Sequence, residues 1–250
     1  MPHDQTPTDA SMRDFWDQKA RENAMYYISS YRAYDQQDPA EFWKWGGILA
    51  EKFLGESGCR FTGEEAMLEI GCGVGRMTKY FAGRFRHVTA LDVSPEMIRQ
   101  AQENLAGIDN VRLDVGNGSD LTAYPDASFD FVFSYIVFQH IPDPRVTLTY
   151  LREAGRVLRP GGACYVQINT MPRVSPLRVA LRRWKRALLR RTSAPASSAT
   201  SGPRDLDHPA WQGSRVTMTD VTAALRTGRM RIENVQGEGT QYTWVLARRS

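Results

Sequence analysis

The feature that most limits what this chain can fold into is the run Leu68-Glu69-Ile70-Gly71-Cys72-Gly73-Val74-Gly75-Arg76, an apolar strand that passes straight into a glycine turn opening a helix. Glycines are wanted there because the chain must reverse with positive φ and leave its backbone open to a ligand. A tight connection in any α/β domain has the same need, so the turn alone decides little. Dinucleotide binders continue as GxGxxG, and the third glycine position here is Arg76. A side chain at that place opposes close helix–strand packing, which demotes a nicotinamide or flavin ligand.

The surrounding pattern sets the fold class. Short apolar runs at Met67 to Ile70, Val88 to Asp92, Val111 to Val115, Phe129 to Tyr135 and Ala163 to Ile168 read as five strands. Amphipathic helices lie between them. One runs through Met77, Tyr80 and Phe81; the next is capped by Ser94 with Pro95 at its first position and buries Met97, Ile98, Ala101 and Leu105. The last begins at Asp143-Pro144, carries the stripe Leu148, Leu151, Gly155, Leu158, and stops at Pro160-Gly161-Gly162. A helix near Thr219 to Arg226 and two closing strands, Ile232 to Gln236 and Tyr242 to Ala247, follow. Such alternation predicts an α/β fold: a doubly wound, mostly parallel, Rossmann-like seven-stranded sheet with helices on both faces. Ligands then lie beyond the carboxyl ends of the strands.

Segments outside this core divide as follows. Residues 1–10 read as a disordered tail, and 11–58 as an aromatic-rich helical extension or lid that ends near Gly55 and Gly58. The Rossmann-like core occupies 59–170, a basic insertion and linker 171–210, and the closing elements of the same domain 211–250. Eight arginines and lysines fall between Arg173 and Arg191 with no acid among them, so the net charge of +4 hides a remainder of −4. A uniformly basic nucleic-acid surface is not supported. Residues 176–191 read as a basic amphipathic helix, for which a solvated face, an anionic membrane surface and, last, nucleic acid are the readings. Three cysteines without CxxC spacing and four scattered histidines argue against a disulfide framework or a metal site. The polar, acidic start lacks a secretory signal, which leads to the expectation of a cytoplasmic protein.

The second chemical signal is Asp92, an acid at the end of the second strand and twenty-one residues after Gly71. A carboxylate there can accept both hydroxyls of a ribose, although it could equally begin the turn before Ser94-Pro95. Turn and acid together point to an adenosine-containing ligand without an obligatory pyrophosphate.

With these residues in place, the sequence resembles the class I S-adenosylmethionine (SAM)-dependent methyltransferases, particularly the small-molecule group. The motifs LEIGCGxGR, LDxS, a glycine-acid step, SFDxVxS and RVLxPGG stand at 68–76, 91–94, 116–121, 128–134 and 156–162, in family order. The resemblance covers about Met67 to Asn169. It implies that Glu69, Gly71 and Gly73 hold the methionine moiety of SAM, with Gly75 helping the turn, Asp92 gripping the ribose, and Cys72 and Val93 also among the cofactor-binding residues. Met97 resembles the apolar residue lying against adenine, though ordinary helix core explains it as well. Asn117 and Gly118 stand at the adenine edge, Asn117 replacing the usual Asp with a neutral acceptor. Ser134 and Tyr135 would line the sulfonium end.

The resemblance also implies an acceptor-side role for His140, with Gln139 beside it. His140 is read either as general base or substrate-orienting residue, or as a structural histidine bonded to backbone. Trp16, Tyr26, Tyr27, Gln167, Asn169, Trp211 and Arg215 are candidate contacts for the acceptor, each aromatic having helix packing as its alternative. The expected activity is methyl transfer from SAM to an O or N atom of a small-molecule acceptor. The rivals are a non-catalytic or membrane-associated protein that keeps the fold, and an NAD-dependent oxidoreductase.

Overall fold

The computed structural model describes residues 7–29, 33–172 and 207–250. The basic stretch 176–191 and most of the linker after it lie outside the described residues. Two helices come first, α1 (Pro7–Ile28) and α2 (Pro39–Ser57). The core then runs β1 (Ala66–Ile70), α3 (Thr78–Phe81), β2 (His87–Asp92), α4 (Pro95–Asn104), β3 (Val111–Val115) and β4 (Phe129–Ser134). A single 3-10 turn, Phe138–His140, leads to α5 (Pro144–Val157) and β5 (Leu158–Ile168). The short helix α6 (Pro209–Gln212), α7 (Met218–Thr227), β6 (Met230–Gln236) and β7 (Thr243–Arg249) complete the described chain.

The seven strands form one sheet in the order β3-β2-β1-β4-β5-β7-β6. The first five are parallel, and β7 joins β5 and β6 antiparallel. The expected doubly wound sheet is therefore observed, with an antiparallel hairpin on one edge. The order reverses between β1 and β4, where Ile70 pairs with Ser134. Chains leave that point in opposite directions, which opens a crevice at the strand ends.

Alternation along the strands sorts the core into two faces. Leu68, Ile70, Val132, Cys164, Val166 and Ile168 pack with Leu151, Ala154 and Val157 of α5 and Val221 and Leu225 of α7. Met67, Phe131, Phe133, Ala163 and Tyr165 pack instead with Ala50 and Phe53 of α2 and Phe81 of α3. Both faces are covered, as a parallel sheet requires. No helix among the described residues is long and apolar enough to cross a membrane.

Local chemistry fixes the helix starts. The Ser94 hydroxyl accepts the Met97 amide at 3.1 Å with Pro95 next in line, and Asp143 accepts the Arg145 amide ahead of α5. Gly58, at φ 65°, terminates α2 in the left-handed conformation.

Two expectations need correction. Residues 7–10, expected in the disordered tail, are helical as the first turn of α1. That helix is kinked at Asn23, whose φ of −170° and ψ of 80° break the spiral; its Oδ1 accepts the Tyr26 amide at 3.1 Å and restarts it. Pro160-Gly161-Gly162 does not end α5. The helix stops at Val157, β5 starts at Leu158, and these residues bulge between the pairs Phe129–Leu158 and Phe131–Ala163, with Gly161 at φ 81°.

Candidate active site

A cavity of about 1060 Å³, its mouth included, opens over the carboxyl ends of β1, β2 and β4. Its floor is the glycine turn. Gly71 and Gly73 adopt φ of 77° and 55°, and the amides of Gly71 and Cys72 both donate to the Leu91 carbonyl, at 2.8 and 3.0 Å, so the turn is sewn to β2. A Cβ on Gly71 would lie 2.1 Å from Val137 Cγ2, and one on Gly73 would lie 2.7 Å from Ile28 Cδ1. Only glycine fits between the turn and the segments that roof it.

Asp92 joins the two walls. Its Oδ2 accepts the Gly73 amide at 2.9 Å and its Oδ1 accepts the Ser94 amide at 2.9 Å. Burial raises its pKa, opposed by these backbone donors. Each carboxylate oxygen retains acceptor capacity beyond the one bond it makes here.

Glu69 lies deeper, 4% exposed, where its Oε2 accepts the Thr78 hydroxyl at 2.6 Å. Burial pushes its pKa up to about 7 and the nearby Asp92 charge adds to this, while Thr78 and the Arg76 guanidinium oppose it. Burial also pushes the Cys72 thiol up, and its Sγ points at the Gly73 carbonyl oxygen, 3.6 Å away. At the opposite end the walls are apolar, formed by Val93, Met97, Gly118 and, from α1, Met12. A Cβ at Gly118 would sit 3.1 Å from both Met12 Cε and Val93 Cγ2.

Some expected site residues lie elsewhere. Ser134 is fully buried, with its hydroxyl donated to the Ile70 carbonyl at 3.0 Å, and so it ties β4 to β1 without lining the cavity. Asn117 accepts the Ser119 and Asp120 amides on its Oδ1 and donates from Nδ2 to Asp120, which spends the side chain on its own turn. Gly75 backs onto α4, where a Cβ would meet Leu105 Cδ1 at 2.8 Å. Tyr26 faces Tyr27 and Tyr34, and Arg215 donates to the Pro172 carbonyl; neither reaches the cavity.

Tyr135, Trp16, Tyr27 and His140 do line it, and a second, more polar chamber continues past Tyr27, Arg76, Tyr135 and His140 to Asn169 and Trp211. The rings of Trp16, His140 and Trp211 meet with centroids 5.3 to 6.2 Å apart, and Tyr27 meets Trp211 at 5.8 Å. Aromatic residues from α1 and α6, far apart in sequence, thus form one wall. Tyr27 donates its hydroxyl to Glu22, and burial raises its pKa to about 12. Gln167 is buried behind the wall, bonded to Gln139, the Ile136 amide and the Gln241 carbonyl.

His140 Nδ1 lies 2.9 Å from the Trp211 carbonyl oxygen, and Nε2 lies 3.2 Å from the Gln139 amide nitrogen. A carbonyl can only accept, so Nδ1 carries the proton and Nε2 keeps its lone pair. Burial lowers the pKa to about 4, which keeps the ring neutral in neutral solution.

Several participants gave no sequence signal. Met12 and Thr78 reach the site only through packing, and Ile136, lining both chambers, holds φ at 55°, a left-handed conformation rare for a β-branched residue. Arg76 is 4% exposed, with its guanidinium 5.1 Å from the Phe42 ring centroid, so it does not wedge helix from strand as its position suggested.

Residues 68–166 match the family model described as a methyltransferase domain. A curated relative, the ubiquinone biosynthesis O-methyltransferase of Xanthomonas oryzae pv. oryzae, is 30% identical over 175 residues, which is 68% of this chain. The chain spans only about 64% of that relative's length. Among solved structures, magnesium protoporphyrin IX methyltransferase from Synechocystis PCC 6803 with bound SAH superposes with a TM-score of 0.60 at 14% identity, covering 97% of this chain and 100% of that one. The [4+2]-cyclase SpnF superposes with a TM-score of 0.61 at 16% identity, covering 98% and 97%. At such identities these two structures speak for the fold alone. Residues 68–166 thus match a methyltransferase domain set on this sheet, and the chain is similar to the class I SAM-dependent methyltransferases.

Proposed function

We propose that this protein transfers a methyl group from SAM to an oxygen or nitrogen atom of a small-molecule acceptor. The observation that carries this reading is the order of chemistries along the cavity. An apolar slot between Met12, Val93, Met97 and Gly118 suits a purine, the Asp92 carboxylate suits a sugar diol, and Glu69 beside the Gly71–Gly73 turn suits an amino-acid tail. SAM, when bound, supplies a methyl group already attached to a sulfonium leaving group.

The chain's own work is then to hold and orient. Asp92 and the glycine turn hold the cofactor, and Tyr135 stands where the two chambers meet. The acceptor lies in the polar chamber, against Tyr27, Trp211 and Asn169. His140 is the orienting group. Its Nε2 lone pair faces the Gln139 amide at the junction and can accept from a substrate O–H or N–H that takes that amide's place. Replacing His140 with Ala should then cut turnover strongly while cofactor affinity is retained; wild-type turnover on a true substrate would make His140 structural.

The test of the cofactor is a melting experiment. At a hundredfold excess over Kd, S-adenosylhomocysteine should raise Tm by about 5 to 10 °C, with NAD giving no change. A shift with NAD alone would overturn the reading. A second reading is a non-catalytic protein that keeps the same fold without methyl transfer. Incorporation of tritiated methyl into a metabolite mixture separates the two. Three free cysteines, two of them buried, support a cytoplasmic setting. An anionic membrane surface as a partner of 176–191 rests on its arginines, tryptophan and leucines.

A further inference from the structure

Behind His140 runs a chain of amides whose ends are fixed by backbone. Gln167, 1% exposed on β5, accepts the Ile136 N–H on Oε1 at 2.8 Å and donates from Nε2 to the Gln241 carbonyl at 2.6 Å. Turned over, its amide would set N–H against N–H and oxygen against oxygen, so these two backbone groups allow one orientation only. Nε2 also donates to Gln139 Oε1 at 3.2 Å. That contact fixes the Gln139 amide in turn, and its nitrogen faces His140 Nε2 at 3.2 Å. From the far side, the Trp211 carbonyl faces Nδ1 at 2.9 Å.

We propose that Gln167 is a positioning residue that locks His140, through Gln139, in the tautomer protonated at Nδ1 with the Nε2 lone pair held by the Gln139 amide, so that a protic O–H or N–H nucleophile reaches that lone pair only by displacing this amide. Donor and acceptor assignments agree at every link from three backbone groups, Ile136, Gln241 and Trp211. These come from the β4 exit, the β6–β7 hairpin and α6, so the lock exists only when all three elements are docked. The hydrogen bond to Ile136 also holds the one left-handed residue that lines both chambers. The lock itself stands whatever the reaction; only the use of the lone pair rests on the methyltransferase reading.

The groups facing the ring are Trp16 from α1, Trp211 from α6, and Gln139 on its own turn, with Tyr27 lining the same chamber. The charged side chains that share its cavity are Glu69, Asp92 and Arg76, with the phenols of Tyr135 and Tyr150. Both imidazole nitrogens are taken by the Gln139 amide and the Trp211 carbonyl.

The experiment is nitrogen NMR of the whole protein labelled with [15N]histidine, with His140→Gln used to assign the signals. Wild type should show a protonated Nδ1 and a bare Nε2, unchanged from pH 8 to pH 5.5. In Gln139→Glu, a carboxylate replaces the donor facing Nε2 while Gln167 keeps its acceptor; the His140 midpoint should rise by roughly one to three pH units. In Gln167→Glu the orienting donor is lost, Gln139 turns over, and Nε2 should become protonated at pH 7. A wild-type ring protonated at Nε2, or unchanged His140 signals in a folded Gln167→Glu protein, would overturn the proposal. S-adenosylhomocysteine titration of the same samples checks that the cavity is intact. Failure of wild type to bind it would defeat the methyltransferase reading and leave the tautomer result standing.

Discussion

The Asp92 carboxylate accepts the Gly73 amide at 2.9 Å across nineteen residues of chain, so the group proposed to hold the ribose is also the strut that holds the glycine turn against β2. Its other oxygen secures the Ser94 amide at the start of α4. On the proposed reading, one side chain couples ligand recognition to the shape of the floor beneath it. Asp92→Ala should weaken S-adenosylhomocysteine binding by roughly ten- to a hundredfold, corresponding to about 1.4 to 2.8 kcal/mol. Calorimetry giving wild-type affinity would remove Asp92 from the site.

The glycine turn makes a steric prediction with an internal control. Gly71 and Gly107 have similar φ, 77° and 84°, but a Cβ at Gly71 would strike Val137 and one at Gly107 would meet nothing within 4 Å. Gly107→Ala should cost only the left-handed backbone penalty, about 1 to 2 kcal/mol. Gly71→Ala adds overpacking and should cost about 2 to 5 kcal/mol. Equal denaturant midpoints for the two variants would contradict the packing described.

Glu69 predicts how stability varies with pH. Its folded-state pKa of about 7 lies above the ordinary value of 4.5, so between these pH values the folded protein holds a proton that the unfolded chain releases. Stability contributed by this group is thus full below about pH 4.5 and is lost as pH rises through 7, by about 3 kcal/mol in all. Glu69→Gln, which still accepts from Thr78, should be the more stable protein at pH 8 and should lose that advantage near pH 5. Urea titrations in which the difference is flat with pH would exclude an elevated pKa.

A carboxylate of the N-terminal helix helps to fasten it to the sheet domain. Asp17 Oδ1 on α1 accepts the Ser94 hydroxyl at 3.0 Å and the Glu96 amide at 2.8 Å, capping α4 from outside its own chain segment. Removing the group in Asp17→Ala should cost about 0.5 to 2 kcal/mol, as helix caps do. It should also loosen α1 and weaken cofactor binding, because Met12 and Trp16 line the cavity from that helix. Unaltered urea stability and unaltered proteolytic resistance of residues 11–28 would show that α1 is held by other means.

Much of this protein was legible from residues close together in the chain. The strand, glycine turn and helix at 68–81, the Ser94-Pro95 and Asp143-Pro144 caps, and Asp92 at the end of β2 all follow from contacts within a few positions or from the alternation of side chains about a strand. Those interactions form wherever the local sequence occurs, so motif and period suffice to place them. The tertiary structure decided the rest. Ser134 and Asn117 left the cavity because nearby backbone groups captured their side chains, a competition that residue type alone does not reveal. Met12, Ile136 and the Gln167–Gln139–His140 chain entered the site through docking of α1, α6 and the β6–β7 hairpin onto the sheet. Apart from the adjacent pair Gln139–His140, the hydrogen-bond partners lie 28 to 74 residues apart, and Met12 packs near Gly118 from still farther along the chain; contacts of that range exist only once burial has brought the segments together and excluded water.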